Sequence, residues 1–429
     1  MTGTKTRREF LRQSALAAAG VWAGGAPSLV RAGSANEKLG VAVVGVANQG
    51  EYNLNNVASQ AIVALCDVDE TLAAKARQRF PKVKFYTDFR RMIDQKDIDA
   101  VVVATPDHTH APATMMALRA GKHVYCEKPL THSVYEARKV TEMAVKMKVA
   151  TQIGTQIHAR ENYRRVVELI QTGAIGVVKE VHVWVGGSWK VGDRPKDTLP
   201  VPKGLHYDEW LGPAPYRPYH PAHVPKSWRA WWDFGGGVLG DMGCHHIDLS
   251  HWALGLRHAC VIEADGPPVH LDSAPTWLIV RYQYPARGDK PPVKLTWYHG
   301  DKRPPAVAKS PFADWGAGSY FVGDKGQLIA DYNRHVLLPV EKFKDFKRPE
   351  PFIPRSIGHH KEWIRACKTG GKTTCSFDYS GPLTETVLLG NVAYRSGKRL
   401  EWDAKRLKIT NAPEAMTFLR REYRKGWTL

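Results

Sequence analysis

The sequence has few cysteines, no internal repeats and no hydrophobic run of membrane-spanning length beyond its N-terminal region. Six cysteines in 429 residues are too few for a disulfide scaffold. Whether Cys367 and Cys375 pair after export stays open. The formal net charge is +19, but the basic residues form no dense run or aromatic–basic motif, so we expect no nucleic-acid partner. A basic surface facing an anionic envelope is the simpler explanation. The length allows two globular domains.

The first thirty-odd residues have the pattern of an export signal. Residues 6–12 read Thr-Arg-Arg-Glu-Phe-Leu-Arg, a twin-arginine motif, and small residues flank a cleavage point near Ala32. The apolar run between them, over residues 15–27, is too short and too rich in alanine and glycine to span a bilayer. We therefore predict a signal peptide over residues 1–32, export by the twin-arginine translocon, no stable membrane anchor, and a periplasmic or secreted mature protein.

From residue 39 onward, short apolar runs alternate with amphipathic segments, which is typical of a parallel sheet with crossover helices. We predict strands over 40–46, 62–67, 83–86, 100–104, 123–126 and 150–153, and helices over 70–80, 111–120 and 134–147. These form an α/β, Rossmann-like dinucleotide-binding domain over residues 38–156. Residues 157–429 form a second α/β domain, whose alternating segments predict a mainly antiparallel sheet. Its proline- and aromatic-rich stretch, residues 189–227, is interpreted as a lid or binding loop.

The segment after the first strand is a dinucleotide-binding turn. It reads G-x-A-x-x-G, with Ala47 in place of the glycine that lets the backbone approach a pyrophosphate; its assigned residues are Gly45, Ala47, Asn48, Gln49 and Gly50. Asp67 ends the second strand, where a carboxylate binds the adenosine ribose and repels a 2′-phosphate, so NAD is favoured over NADP. Because free dinucleotide is scarce outside the cytoplasm, we expect an exported protein to carry its NAD tightly bound.

Two further segments lie at the carboxyl ends of predicted strands, where open parallel sheets bind ligands. From Thr105–His110 and Glu127-Lys128-Pro129 we assign to the cofactor Thr105, Pro106, His110, Glu127 and Lys128. His108 and His110 have the H-x-H spacing of metal ligands. No third ligand has a definite spacing to them, so we predict no metal site and favour polar residues that cap the following helix.

A histidine-rich helix supplies groups for acid–base chemistry. Asp241 and His245 are four residues apart and share one helical face, so the carboxylate could orient the imidazole and favour its protonated form. Histidine suits removal of a hydroxyl proton, while Lys128 could stabilise an alkoxide. Which of Lys128 and His245 takes the proton stays open. Asp248, one turn further on, is predicted to hold His245 or a sugar hydroxyl; the alternative is a helix with merely solvated polar residues.

On these motifs the chain resembles the Gfo/Idh/MocA family of oxidoreductases, over nearly all of the predicted mature sequence. The residues that carry the resemblance are the glycine loop, Ala104-Thr-Pro, Glu127-Lys-Pro, the Gly235–His245 segment and the His359-His360 helix. The twin-arginine pattern, Trp210-Leu-Gly-Pro and Arg424-Lys-Gly-Trp are similar to a secreted branch. The resemblance implies an open sheet in the second domain that often mediates oligomers, here a dimer or tetramer. It also implies sugar, cyclitol or polyol substrates, with Lys128, Asp241 and His245 as catalytic residues.

The predicted substrate contacts lie near the expected domain cleft. Gln156, Arg160 and Tyr163 follow the sixth strand and join His245 and Asp248, while tryptophans of residues 189–232 suit the apolar face of a sugar. The predicted function is a periplasmic, NAD-dependent oxidoreductase acting on a hydroxyl of a sugar, glycoside or polyol. Two alternatives stay open: a redox-neutral glycosidase or lyase that works through a transient keto-sugar, and a sugar-binding protein without turnover.

Overall fold

The computed structural model describes residues 37–189 and 192–429. The predicted signal peptide, residues 1–32, lies outside the described residues and stays a prediction. Within the described ranges, the longest apolar helices fall short of what a bilayer crossing requires.

The N-terminal domain is a parallel six-stranded sheet in the order β3-β2-β1-β4-β5-β6. The sheet consists of β1 (Gly40–Val44), β2 (Ala61–Cys66), β3 (Lys84–Tyr86), β4 (Ala100–Val103), β5 (His123–Cys126) and β6 (Thr151–Ile153). Its connecting helices are α1 (Gln49–Val57), α2 (Glu70–Arg79), α3 (Phe89–Met92), α4 (Asp107–Arg119) and α5 (Val134–Met147). Strand order reverses between β1 and β4, so a crevice opens above their carboxyl ends. The predicted Rossmann fold is confirmed.

Two helices begin earlier than predicted. Helix α4 starts at Asp107 rather than at residue 111, and the last long helix starts at Phe377 rather than at residue 382. Each contains a proline near its predicted start, Pro112 or Pro382, and a proline inside a helix is unfavourable enough that its position suggests a helix start instead. The earlier start puts Asp107 and the two following histidines on α4, at the edge of the crevice.

The second domain is built on a nine-stranded sheet in the order β13-β12-β11-β7-β10-β9-β8-β14-β15. Its strands are β7 (Val178–Val185), β8 (Val261–Asp265), β9 (Leu278–Tyr284), β10 (Val293–His299), β11 (Ala317–Gly323), β12 (Gln327–Ala330), β13 (His335–Leu338), β14 (Leu400–Asp403) and β15 (Lys408–Ile409). Strands β7 and β10 are parallel and the other pairs are antiparallel. The predicted mainly antiparallel sheet is therefore confirmed.

The described part of the second domain has six α-helices, of which three pack against one face of the large sheet. They are α6 (Glu161–Gln171), α7 (Tyr207–Leu211), α8 (Gly237–Leu254), α9 (Pro305–Ala308), α10 (His359–Thr369) and α11 (Phe377–Ser396). Buried side chains of α6, α8 and α11 form one core with the sheet. Helix α10 instead packs on the Rossmann sheet, where Trp363 is fully buried beside Val41 and Leu54. The second domain therefore supplies part of the crevice wall.

The cysteine pair that the sequence left open is unbonded in the structure. Cys367 and Cys375 are both buried and free, and they belong to different core clusters. Burial raises the pKa of both thiols well above the ordinary value, so neither forms the thiolate that disulfide exchange requires.

Candidate active site

The glycine turn after β1 forms the floor of a cavity of about 430 Å³. Gly45 has a φ of 80°, and a Cβ there would lie 2.5 Å from the carbonyl oxygen of Ala104. A Cβ on Gly50 would lie 1.9 Å from the carbonyl oxygen of Gly45. Both positions therefore require glycine. Ala47, Asn48 and Gln49 line the cavity, so the methyl group of Ala47 is accommodated at the turn.

Asp67 also lines this cavity. Its Oδ2 accepts from the backbone N–H of Val46 at 2.8 Å and its Oδ1 from that of Asp69 at 3.0 Å. These bonds fix the carboxylate beside the glycine turn, in the place where a ribose is bound in such folds. Burial is the largest influence on its pKa, which is raised above the ordinary value, although the two backbone bonds oppose this.

The predicted cofactor residues of β4 and α4 also line the cavity, but His110 has a structural task there. Thr105, Pro106 and His110 belong to the wall. The ring nitrogens of His110 lie 2.7 Å from the carbonyl oxygens of Pro129 and Thr105, and burial lowers its pKa to about 4. The ring of His110 therefore lies between the two cofactor loops, and as a neutral imidazole it donates to only one of the two carbonyls. The ring of His108 also contacts the backbone: its Nε2 lies 2.8 Å from the carbonyl oxygen of Trp210.

Glu127 is a buried carboxyl group that organises the centre of the crevice. Its Oε1 accepts from the side-chain amides of Gln49 at 3.0 Å, Asn53 at 2.9 Å and Gln156 at 2.8 Å. Burial raises the pKa of Glu127, while the bonds from Asn53 and Gln49 lower it in part. The side-chain amide of Gln156, a predicted substrate contact, thus donates hydrogen bonds to Glu127 and to the Tyr125 hydroxyl.

Lys128 forms an ion pair across the two domains. Its Nζ donates to Oδ1 of Asp241 at 2.7 Å and to the Asp241 backbone carbonyl at 2.5 Å. Nε of Arg229 lies 3.4 Å from the same Oδ1. Burial would raise the pKa of Asp241, but Lys128 and Arg229 outweigh it and the pKa is lowered. Asp241 was predicted to orient His245. In the structure its carboxylate instead contacts two cations, Lys128 and Arg229.

His245 lines a second cavity of about 600 Å³, one turn further along helix α8 than Asp241. Its Nδ1 is buried and has no hydrogen-bond partner among the described residues. Burial, followed by the charge of Lys128, lowers the pKa of His245 well below 6.5. The imidazole is therefore neutral near pH 7, contrary to the predicted protonated form. Gln49 lines both cavities, and Glu127 and Lys128, predicted at the nicotinamide end, line the first.

Two predicted substrate contacts do not reach either cavity. Tyr163 is buried, with 2% of its surface exposed, and its hydroxyl donates to the backbone carbonyl of His245 at 3.2 Å. Asp248 is fully buried and binds neither His245 nor open space. Its Oδ2 lies 2.8 Å from Nδ1 of His158, and its Oδ1 accepts from the Tyr379 hydroxyl at 2.6 Å. Helical spacing gave the right face for Asp248 but could not show that the domain seam closes over it.

Family models match the two domains separately. Residues 39–155 match the NAD-binding Rossmann fold of the Gfo/Idh/MocA oxidoreductases, and residues 159–429 match the C-terminal alpha/beta domain of the same family. The chain belongs to the Gfo/Idh/MocA family. Its N-terminal domain is thus an NAD-binding Rossmann domain, and the family resemblance stated from the motifs is confirmed.

Curated relatives in the family include two named dehydrogenases. The chain is similar to levoglucosan dehydrogenase of Pseudarthrobacter phenanthrenivorans, with 26% identity over 192 residues, 44% of this chain and 42% of the relative. It is also similar to inositol 2-dehydrogenase of Salmonella typhimurium, with 31% identity over 150 residues, 34% of this chain and 45% of the relative. The chain thus matches less than half the length of either relative.

Solved structures of the family share the fold over most of the chain. The WlbA dehydrogenase of Bordetella pertussis, in complex with NADH and UDP-GlcNAcA, has a TM-score of 0.62 at 18% identity, covering 86% of this chain and 99% of that one. GenD2 from gentamicin A biosynthesis, in complex with NAD, has a TM-score of 0.60 at 20% identity, covering 89% and 100%. At these identities the likeness establishes the fold alone.

Sequence reasoning did not assign Arg229 or Asp107 to this Gfo/Idh/MocA site, and it included Trp228 only among the tryptophans that suit the apolar face of a sugar. Arg229 and Trp228 come from the long segment between β7 and α8, called the long insertion below, and Asp107 starts helix α4. All three line the cofactor cavity, as Lys128 does. The guanidinium of Arg229 lies 4.2 Å from the Trp228 ring centroid, within cation–π range. The sequence shows that the insertion is rich in aromatic and basic residues. Which of them reach the cavity depends on how the insertion packs against β5 and α8. Asp107 gave no sequence signal, because helix-start aspartates are common.

Proposed function

We propose that this protein is a periplasmic, NAD-dependent oxidoreductase that transfers a hydride between a tightly bound cofactor and a hydroxyl of a sugar, glycoside or polyol. One observation carries the proposal. The Lys128–Asp241 ion pair lines the cofactor cavity, and the neutral His245, one turn further along the same helical face, lines the second cavity, with Gln49 in both linings. A cation and a proton acceptor therefore flank one place, as alcohol oxidation requires.

The residues that would hold NAD fit its parts. Asp67 suits the adenosine ribose, the glycine turn suits the pyrophosphate, and Glu127 and Lys128 stand at the nicotinamide end. NAD supplies the hydride acceptor for the carbon that bears the hydroxyl. The enclosing volume and the two obligatory glycines, Gly45 and Gly50, agree with close approach of backbone to a phosphate.

The side chains divide the proton chemistry between them. Lys128 donates a hydrogen bond to the substrate oxygen and so favours the alkoxide as negative charge develops there. Asp241, whose pKa is lowered by Lys128 and Arg229 against the effect of burial, stays ionised and fixes the ammonium. His245 is neutral and has a free Nδ1, so it accepts the hydroxyl proton. Reduction of a ketone uses the same groups in reverse.

The long insertion supports a retained cofactor. Leu205, Trp210 and Trp228 of this segment line the cofactor cavity and belong to one apolar cluster. The insertion is joined to the turn after Asp67: the backbone N–H of His206 donates to the Val68 carbonyl at 2.8 Å, and that of Glu70 to the Gly204 carbonyl at 2.9 Å. A wall attached at the adenosine end would have to detach before NAD could leave.

The test begins with the cofactor. Protein exported and purified from its own host should release NAD, identified by mass spectrometry, in near-stoichiometric amount. A panel of sugars, glycosides and polyols is then screened for keto products with the holoenzyme. A keto product whose formation requires Lys128 supports the proposal. Absence of any oxidised product, together with cofactor-free protein, would refute it.

The redox-neutral alternative is favoured by the same enclosed cavity, because a cofactor that is reduced and reoxidised in place has no need to leave. In that reaction the transient ketone acidifies the neighbouring C–H bond, a glycosidic bond is eliminated, and the hydride returns. Cleavage of a glycoside with unchanged cofactor, and with no free keto-sugar, would identify this alternative. A sugar-binding role without turnover would show ligand binding and neither product.

Location and assembly are part of the proposal. Arg7 and Arg8 of the twin-arginine motif support periplasmic export, and replacing both with Lys should retain the protein in the cytoplasm upon fractionation. The resemblance supports a homo-oligomer through the nine-stranded sheet, whose outer face presents the half-buried rings of His182 and Tyr320. Light scattering during size-exclusion chromatography measures the assembly directly, with a dimer or tetramer expected.

A further inference from the structure

The second cavity, between helix α8 and the start of α10, has an unusual balance of charge. Its lining contains Arg160 and Lys361, and none of its described lining residues is Asp or Glu. Neither cation has an ion-pair partner among the described residues; Arg160 donates only to the neutral side-chain oxygen of Asn333, at 2.6 Å. The nearby Asp331 is already paired with Arg334, at 2.8 Å. The cavity therefore has a positive potential that no protein carboxylate cancels.

The carboxyl group that lies behind the cavity does not change this balance. Glu127 is covered by the amides of Gln49 and Gln156, which donate to its Oε1 and which themselves line the cavity. Glu127 is buried, and burial is the largest influence on its pKa, which is raised. The amides of Gln49 and Gln156 therefore separate Glu127 from the ligand, and Glu127 itself does not line the cavity.

Helix α10 adds a third source of positive potential. Gly358, His359, His360 and Lys361 all line the cavity, so the N-terminus of this 11-residue helix lies at its wall. Gly358 is the N-cap, and no side chain caps the helix. The first turn of an uncapped helix presents free N–H groups and the positive end of the helix dipole, which favour an anion.

A second, independent feature indicates that the ligand also carries hydroxyl groups. His359 is buried, with 5% of its surface exposed. Its Nε2 donates to the Ile153 carbonyl at 2.7 Å, which leaves Nδ1 as an acceptor, and that buried Nδ1 has no partner among the described residues. Nδ1 of His245 is free in the same way. Lone pairs of this kind bind hydroxyl donors rather than an anion.

We propose, building on the function proposed above, that the substrate is an anionic sugar whose carboxylate or phosphate ester is bound at the N-terminus of α10 by Arg160 and Lys361. Its hydroxyl groups then face His359 and His245. The cavity of about 600 Å³ is within the range that holds a small ligand. The neutral sugars expected from the motifs alone lack the charge for which this pocket is built.

Binding to the NAD-loaded holoenzyme tests the proposal independently of turnover. Isothermal titration compares matched probes: glucose with glucuronate and glucose 6-phosphate, and galactose with galacturonate. We expect at least one anion to bind about tenfold more tightly than its neutral counterpart, since hydrogen bonds to charged groups are stronger than those between neutral groups. The advantage should shrink as salt is raised. Whether the tighter anion is a carboxylate or a phosphate identifies the group.

Substitutions test whether Arg160 and Lys361 bind the anionic group. Arg160→Gln should weaken binding of the preferred anion about five- to tenfold and leave the neutral sugar unchanged, and Lys361→Gln should act in the same direction. Lys82→Gln removes an exposed lysine far from either cavity lining and should change nothing. Equal affinities for neutral and anionic probes, no binding by any probe, or equal losses for both classes in Arg160→Gln would overturn the proposal. Tight anion binding without oxidation would refute the proposed function instead and leave this inference standing.

Discussion

Nζ of Lys128 lies 2.7 Å from Oδ1 of Asp241, and this contact joins the end of strand β5 in one domain to helix α8 in the other. Both side chains are largely buried, with 13% and 16% of their surfaces exposed. A pair so placed connects the two domains and at the same time fixes the ammonium in the cofactor cavity. Its two tasks can be separated by substitution.

Lys128→Met should abolish most turnover while leaving the cofactor bound. Removing the ammonium takes away the group that stabilises developing alkoxide charge, a loss of about 10²- to 10³-fold in kcat. The cofactor contacts of the glycine turn and Asp67 remain. Single-turnover kinetics with NAD-loaded protein measures the chemical step, and mass spectrometry counts the retained NAD.

The matched control for this variant is Lys82→Met, at an exposed position, which should keep wild-type values. Asp241→Asn keeps a hydrogen-bond acceptor but removes the countercharge, so it should lose less activity than Lys128→Met. A Lys128→Met enzyme with a rate near that of the control would remove Lys128 from the mechanism.

His245 should act as a neutral base over the whole accessible pH range. Because burial and then Lys128 lower its pKa well below 6.5, the imidazole does not protonate as pH falls through 6.5. The profile of kcat/KM should therefore show no acid limb near 6.5, and His245→Asn should reduce kcat about a hundredfold. The measurement is a pH–rate profile from about pH 5 to 9 for the wild-type enzyme and for His245→Asn. An inflection near 6.5 that disappears in His245→Asn would contradict a depressed pKa.

The cofactor half of the site could be predicted from the sequence because its signals are local. Gly45 and Gly50 follow a strand directly, and Asp67 ends the next one, so sheet topology alone brings them together. Lys128 and Asp241 are 113 residues apart, and their contact depends on how the domains dock. Helical spacing suggested that Asp241 binds His245. The ammonium takes that place, because a buried charge left without a countercharge costs more than a neutral ring without a partner.

The same limit explains the errors at Tyr163 and Asp248. Each lies on the face of its helix that points toward the domain seam, as predicted, yet each is at most 2% exposed. Periodicity identifies the face of a helix, but whether a face borders a cavity or a closed seam is decided by packing between distant segments. Arg229 was missed for the complementary reason, since its insertion has no regular pattern that could indicate where it docks.

The wall made by the insertion should control cofactor release. Trp228→Ala opens the apolar cluster beside the cofactor cavity, and we expect NAD to dissociate at least about tenfold faster, because the indole supplies a large buried contact. Release is followed by mixing holoenzyme with an excess of an NADH-scavenging dehydrogenase after reduction. Trp189→Ala, at a half-buried position in the same cavity, should act in the same direction with less risk to folding.

The matched control is Trp277→Ala, a half-buried tryptophan outside the cavity lining. Thermal unfolding verifies that each variant is folded. If Trp228→Ala and Trp189→Ala release NAD at the same wild-type rate as the control, the insertion does not retain the cofactor. The redox-neutral alternative then loses its structural support.

Asp107 should make the stability of the protein depend on pH in a way that asparagine does not. Burial, opposed first by Arg229, raises the pKa of Asp107 to about 7, whereas an unfolded aspartate has a pKa of about 3.9. Between these values the folded protein holds a proton that the unfolded chain has lost. The free energy of unfolding therefore decreases as pH rises toward 7, and this contribution is present in full only at low pH.

Asp107→Asn has no such proton, so its stability relative to wild type should rise between pH 5 and 8 by about 2–3 kcal/mol, at 1.36 kcal/mol for each pKa unit crossed. Urea unfolding of the NAD-saturated enzyme at several pH values measures the difference. Asp289→Asn, at an exposed position between β9 and β10, should show a difference that does not vary with pH. A constant difference for Asp107→Asn as well would mean that this carboxyl group is ionised in the folded protein, and that Arg229 and Lys128 outweigh its burial.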